Sequence, residues 1–267
     1  LDGSIAVGSN PNDMCITRNG NFLFVANAND NSVSVIDTRE RRVKETLNAA
    51  LFADAPAGST TNGLALSADD KTLYAANADN NCLAVFNVSE PGSSVSKGFI
   101  PTGWFPSCVR TTRKQLLVAN GKGLISKANP FGPNPADERE EVTYQQGGQT
   151  QTIKVQYIGG LFRGTLGIVN VPDEEQLSVY SQAVYHNSPY SSEKNNLSEG
   201  MAGNPIPVKV GDASPIKHVF YIIKENRTYD QVLGDMPEGN GDTSLVLFGE
   251  KITPNQHALA LEFLLLD

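Results

Sequence analysis

The chain repeats itself, and the repeat decides most of what it can fold into. Asn19-Gly-Asn-Phe-Leu-Phe-Val-Ala-Asn27 followed by Ser32-Val-Ser-Val-Ile-Asp37 returns as Asp69-Asp-Lys-Thr-Leu-Tyr-Ala-Ala-Asn77 followed by Cys82-Leu-Ala-Val-Phe-Asn87, a constant offset of 50 residues. A third copy ends at Asn120, 43 residues after Asn77, and its next strand is displaced by an insertion to Gly164-Thr-Leu-Gly-Ile-Val-Asn170. Each copy holds short β-branched or alternating strands separated by Asn, Asp and Gly at hairpin spacing, with no helical period. Repeats of about 40 to 50 residues with several strands each are the blades of a β-propeller. The Asn that closes each copy (Asn27, Asn77, Asn120) is expected at a turn, where Asn tolerates left-handed geometry and bonds its own backbone. Three blades, with part of a fourth around Ile5–Pro11, cannot close a ring of about four to eight. Further blades are expected upstream, and the two open edges favour mispairing.

Composition narrows the function. The 267 residues are 39% hydrophobic and 19% charged, as in a globular protein, with no apolar stretch near the length of a membrane span. A formal charge of −8 opposes binding to a phosphate backbone, so no nucleic-acid partner is expected. Cys15, Cys82 and Cys108 lack zinc or disulfide-framework spacing and read as small buried hydrophobes. The chain starts at Leu1 without Met or a charged leader and stops in the apolar Leu264-Leu-Leu-Asp267. It is expected to be a piece of a longer protein, so a missing signal peptide says nothing about secretion.

Beyond the repeats the pattern changes. The insertion at 121–160 reads as a loop, with Asn129–Pro135, an acidic Asp137–Glu141 and polar Gln145–Gln149, either covering one propeller face or reaching the next domain. Asp173–Tyr185 reads as one helix leaving the propeller, and Asn187–Pro215 as a linker. Then Val219–Ile223, five consecutive apolar residues, reads as a central strand of a parallel sheet. It stops at Glu225 and Asn226, and ligands of such sheets gather at the carboxyl ends of strands. A carboxylate and a carboxamide there suit a hard or borderline divalent cation. The plainer alternative is a strand-to-helix turn with Thr228 or Asp230 as cap. Thr253-Pro-Asn-Gln256 is a capping box for a helix to about Glu262, and Leu264–Asp267 reads as the next strand, giving a βαβ unit. His186, His218 and His257 are expected to be surface or structural residues.

Two resemblances rest on these residues. The blade copies and Ile5–Pro11 resemble YVTN-type propeller repeats. Ile216-Lys-His-Val219 followed by Glu225-Asn-Arg-Thr-Tyr-Asp230 resembles the opening motif of the phosphoesterase family of phospholipases C and acid phosphatases, in the alkaline phosphatase superfamily. Gly234–Asp242 and Leu247–His257 are similar to the next segments of propeller-linked members, so this resemblance spans about 216–267. Thr228 stands where the family usually has Ser and Tyr229 where it has Phe; neither change removes a ligand. The resemblance implies a layout of a partial propeller (1–171), helix and linker (172–215) and the start of an α/β phosphoesterase domain (216–267). It implies a phosphate-ester substrate, a divalent metal ion bound by Glu225 and Asn226, a periplasmic or extracellular location, and a protein or surface partner for the propeller. The family's Ser or Thr nucleophile and remaining ligands are expected beyond Asp267, so these residues alone should be inactive. The rival expectation is a propeller binding module whose phosphoesterase-like part is non-catalytic.

Overall fold

The computed structural model describes residues 3–124, 140–155, 162–188, 203–207 and 211–267. They fall into two compact units, 1–127 with 162–199 and 128–161 with 200–267. Asn129–Pro135 of the insertion and most of the linker expected at Asn187–Pro215 lie outside the described residues.

In the first unit each sequence copy is one antiparallel sheet. Strands β1 (Pro11–Ile16), β2 (Phe22–Asn27), β3 (Ser32–Asp37) and β4 (Arg42–Asn48) form blade one in the order of the chain. Blade two repeats this with β5 (Thr61–Leu66), β6 (Thr72–Asn77), β7 (Cys82–Asn87) and β8 (Val95–Pro101). Blade three has β9 (Trp104–Thr111), β10 (Gln115–Gly123) and, after an inserted hairpin of β11 (Glu140–Gln146) and β12 (Gln149–Val155), β13 (Thr165–Asn170). The displaced strand lands in the repeat's register: Asn120 pairs with Thr165 as Asn27 pairs with Ser32 and Asn77 with Cys82.

Period-two alternation then builds two seams. From blade two, Leu73, Ala75, Ala84 and Phe86 turn to one side and pack with Phe24, Ala26, Val33 and Val35 of blade one. Their neighbours Tyr74, Ala76, Leu83 and Val85 turn to the other side and pack with Val109, Leu116 and Val118 of blade three. Blade two therefore buries both faces, which is why its strands read as unbroken apolar runs.

The repeated Asn residues are not turn residues as expected. Asn27 and Asn77 are buried strand ends and Asn120 is buried within β10, and each donates hydrogen bonds through its side-chain Nδ2. Asn77 Nδ2 donates to the Ala49 carbonyl (2.6 Å) and its Oδ1 accepts from the Thr61 hydroxyl (2.7 Å). The left-handed positions are held four residues on, by Asn31 (φ 48°) and Asn81 (φ 52°). Each of these also reaches the next blade: Asn31 Oδ1 accepts from Ser59 N, and Asn81 Oδ1 from Phe105 N.

Helix α1 (Glu174–Asn187) forms where the sequence places it, with Asp173 as N-cap accepting from Gln176 N. It lies along β8, burying Leu177 and Val184. Ser181 Oγ accepts from Phe99 N (2.8 Å), and Gly98 (φ 131°) leaves room for it, since any side chain there would strike Ser181 Oγ.

The second unit departs from the expected α/β domain. The stretch 121–160, read as a loop, contains the β11–β12 hairpin, closed by Gly147 (φ 61°) and Gly148 (φ 78°), the two left-handed positions of a type I′ turn. Helices α2 (Tyr229–Leu233) and α3 (Pro254–Glu262) are present, the latter ending at the expected residue. The strands are not. Among the described residues there is no parallel pairing, Ile216–Ile223 is unpaired, and Leu264–Asp267 is unpaired too. A strand exists only against a partner, and the described strands of this unit, β11 and β12, pair with each other. Val219 to Ile223 are consequently 73% to 90% exposed. The capping box expected at Thr253 is also absent, because the Thr253 hydroxyl donates to the Phe248 carbonyl (2.7 Å) instead.

Candidate functional site

Glu225 and Asn226 sit at the junction between the exposed apolar run and α2. The junction is fixed on its helical side. Thr228 is the N-cap, and it forms a capping box with Gln231. Gln231 is buried, and its carbonyl accepts from Leu247 N (3.0 Å) and Phe248 N (2.8 Å). The Arg227 guanidinium stands 5.2 Å from the centroid of the Phe248 ring, a cation–π contact. Asp230 Oδ1 accepts from Asp242 N (2.8 Å), tying the first turn of α2 to the following loop.

The two predicted metal ligands are thus neighbours with exposed side chains, and the peptide bond joining them is cis. In kind they fit a hard cation, offering one carboxylate and one carboxamide oxygen. In number they do not complete a site, since such cations take about six oxygen ligands. Among the described residues no group of three or more His, Cys, Asp or Glu side chains could hold an ion. His218 is exposed and contributes nothing to the pair, and His186 lies exposed on α1.

A second polar cluster was not legible as such. His257, buried in the first turn of α3, places Nε2 2.8 Å from Asp235 Oδ1 and Nδ1 2.8 Å from the Thr253 carbonyl. Its Nδ1 is also 3.1 Å from Thr253 Oγ1, which gives the outline of a nucleophile–histidine–carboxylate set. The hydrogen bonding excludes that role. The two ring nitrogens face Asp235 Oδ1 and the Thr253 carbonyl, while the Thr253 hydroxyl donates to the Phe248 carbonyl (2.7 Å), so the hydroxyl proton is directed away from the ring. Burial opposes the imidazolium, yet the bonds to Asp235 and to the Thr253 carbonyl outweigh it, so the His257 pKa stands above its ordinary value. The His257 hydrogen bond holds the Asp235 carboxyl below the usual carboxylate range. The pair is structural, pinning α3 to the loop before it, as expected of His257.

The pH dependence of this pair has a definite sign. A raised histidine pKa stabilises below the unfolded value of about 6.5 and is lost as pH rises through the folded one; a lowered Asp pKa stabilises above about 3.9 and is lost as pH falls. The attachment of α3 should be firmest between about pH 4 and 6.5. The protection factors of the Leu259–Leu261 amides, which remove the intrinsic rise of exchange with pH, should fall above that window in the native chain. The fall should vanish in His257→Gln; a flat protection profile in the native chain would contradict the pairing.

Among the described residues, no helix is long and apolar enough to cross a membrane. Residues 4–122 match the family model described as Lactonase, 7-bladed beta-propeller. Solved structures similar to the chain include hydrazine synthase from Kuenenia stuttgartiensis, at 16% identity and a TM-score of 0.37, covering 64% of this chain and 52% of that one. A candidate 6-phosphogluconolactonase from Bacteroides fragilis matches at 22% identity and a TM-score of 0.40, covering 61% of this chain and 43% of that one. Another, from Bacteroides uniformis, matches at 21% and 0.39, covering 61% and 45%. The chain spans about half the length, or less, of each of these structures. No curated protein matches it. Three face-to-face antiparallel sheets in a repeating sequence, over residues matched by a propeller family model, make the first unit a run of β-propeller blades.

Proposed function

We propose that the protein is a metal-dependent hydrolase of phosphate esters in which Glu225 and Asn226 hold one divalent cation, with the blades as an accessory module. What carries the reading is the motif from Ile216 to Asp230 and its place in the chain. Five side chains suited to burial end at two adjacent oxygen donors, followed at once by a capped helix. An apolar run exposed to this degree gains roughly 1.5–3 kcal/mol per large side chain when a sheet covers it. Covering it would direct the end of the run, and with it Glu225 and Asn226, to the edge where ligands of α/β sheets bind. A cation held there would act as a Lewis acid toward phosphate oxygens. The polypeptide's own part is to supply two of the donors and to hold them in place through the Thr228–Gln231 cap and the Arg227–Phe248 contact. The same reading places the protein in the periplasm or outside the cell.

In the full-length protein, Glu225→Ala should abolish hydrolysis of an aryl phosphate ester and lower bound metal, because an anionic ligand is lost with no replacement. Asn226→Ala should do the same less severely. Native activity and metal content in Glu225→Ala would refute the assignment. A second reading, hydrolysis of a lactone ester by the propeller, is favoured by the family match over residues 4–122.

A further inference from the structure

Four Asn residues precede a glycine: Asn19, Asn62, Asn120 and Asn240. An Asn-Gly pair carries a latent reaction of the chain with itself. The glycine nitrogen, once deprotonated, can attack the Asn Cγ, because no side chain on the glycine stands in the way. How fast it does so depends on how firmly the two reacting groups are held, since a hydrogen-bonded segment reacts only when it opens.

Three of the four are held. Asn62 and Asn120 lie in β5 and β10, at 8% and 3% exposure, and their glycines continue the same strands. Asn19 is exposed, but both partners in its reaction are tied down. Its Oδ1 accepts from the Thr17 hydroxyl (2.8 Å) and from Asn21 N (3.0 Å), and Gly20 N donates to the Thr17 carbonyl (2.8 Å).

Asn240 differs on each count. It is exposed, in the loop between α2 and the short 3-10 turn at Thr243–Leu245. Its carboxamide makes no hydrogen bond among the described residues, and neither does Gly241 N. Its backbone alone is anchored, Asn240 N donating to Asp267 Oδ2 (2.6 Å). Packing requires the glycine here. A Cβ on Gly241 would lie 2.5 Å from Gly234 Cα, so no residue that hinders the attack fits at this position.

We propose that Asn240 is a site of spontaneous deamidation in the folded protein. Gly241 N bonds to Asn240 Cγ as the Cγ–Nδ2 bond breaks, and the proton lost by Gly241 N is returned to the leaving amide, which departs as ammonia. The product is a cyclic succinimide. Water then adds to either of its two carbonyls and opens the ring, leaving aspartate or isoaspartate at position 240. The net change consumes water and releases ammonia. Either product places a new carboxylate close to that of Asp267, where like charges repel. Isoaspartate also lengthens the backbone by a methylene next to Gly241. With Gly241 lodged against Gly234, that displacement falls on the hydrogen bond from Asp242 N to Asp230 Oδ1 (2.8 Å), which ties the first turn of α2. The reaction thus loosens the loop that follows the candidate site, whatever chemistry that site performs.

The test is peptide mapping by mass spectrometry of the native protein held at mildly alkaline pH, with isoaspartate measured at each of the four sites. Asn240 should be modified roughly tenfold or more ahead of Asn19, Asn62 and Asn120, since even about 1.4 kcal/mol of local opening slows a reaction tenfold. In urea, with all four segments free, the rates should converge. Asn240→Gln, whose ring would have to be larger, should stay unmodified at 240 and keep the native circular dichroism, because the Asn240 side chain is exposed and bonds nothing. Amide protection in α2 should fall as the native protein ages and hold in Asn240→Gln. Equal native rates at the four sites, another Asn in the lead, or the same lead for Asn240 in urea would overturn the site; unchanged α2 protection after full conversion would overturn its consequence.

Discussion

Leu83→Ala should destabilise the first unit by about 2–5 kcal/mol, the range for deleting a fully buried large aliphatic side chain. Leu83 is at 0% exposure in the cluster that joins blade two to blade three. The Tyr74 and Val85 side chains around it are held by their own ladders and cannot collapse into the space. Urea unfolding should show a lower midpoint with an unchanged slope, since the surface exposed on unfolding is the same. Leu73→Ala should cost about as much, but at the seam with blade one. Amide exchange separates the two: Leu83→Ala should loosen Val109–Thr111 first, and Leu73→Ala should loosen Phe24–Ala26 first. Equal loosening of both seams by both variants would show that the blades do not pack as separate layers.

Asn77→Ala should cost about 2–4 kcal/mol, although it removes few atoms. The Thr61 hydroxyl and the Ala49 carbonyl would each lose a buried partner, and an unsatisfied buried polar group costs about 1–3 kcal/mol. Asn77→Asp should be worse. The new carboxylate could still accept from Thr61, but it would face the Ala49 carbonyl with no proton to donate, at a site fully removed from water. Thermal melting of the two variants would rank them. A stability order of alanine below aspartate would mean that the amide is not the link seen between Asn77 and Ala49.

The blades were legible because their information is local and repeated. Alternation of apolar residues gives the strands, a constant offset gives the layers, and the displaced Gly164–Asn170 was recognisable as the partner of Gln115–Asn120 by its pattern alone. The role of Asn27, Asn77 and Asn120 was not legible, because a residue type that suits left-handed turns equally suits buried amide bridges. The two T-x-x-Q strings make the same point. Thr228–Gln231 forms its capping box, while Thr253 turns its hydroxyl to Phe248, an acceptor supplied by the preceding loop. The pairing of Asp235 with His257 joins residues 22 apart and leaves no spacing signature. In the candidate site, the apolar character of Val219–Ile223 was readable, but a strand's partner is a property of the rest of the sheet. Sequence therefore predicted a buried parallel strand where the described residues hold an exposed extended segment.

The central claim is that the chemistry belongs to the segment around Glu225 and Asn226 rather than to the blades. It is tested most directly by assaying the full-length protein on an aryl phosphate ester and on a sugar lactone side by side, before and after treatment with a chelator. The account predicts phosphate-ester hydrolysis that the chelator abolishes and a divalent cation restores, with no lactone opening above background. Lactone opening that is indifferent to the chelator, with the phosphate ester untouched, would contradict it.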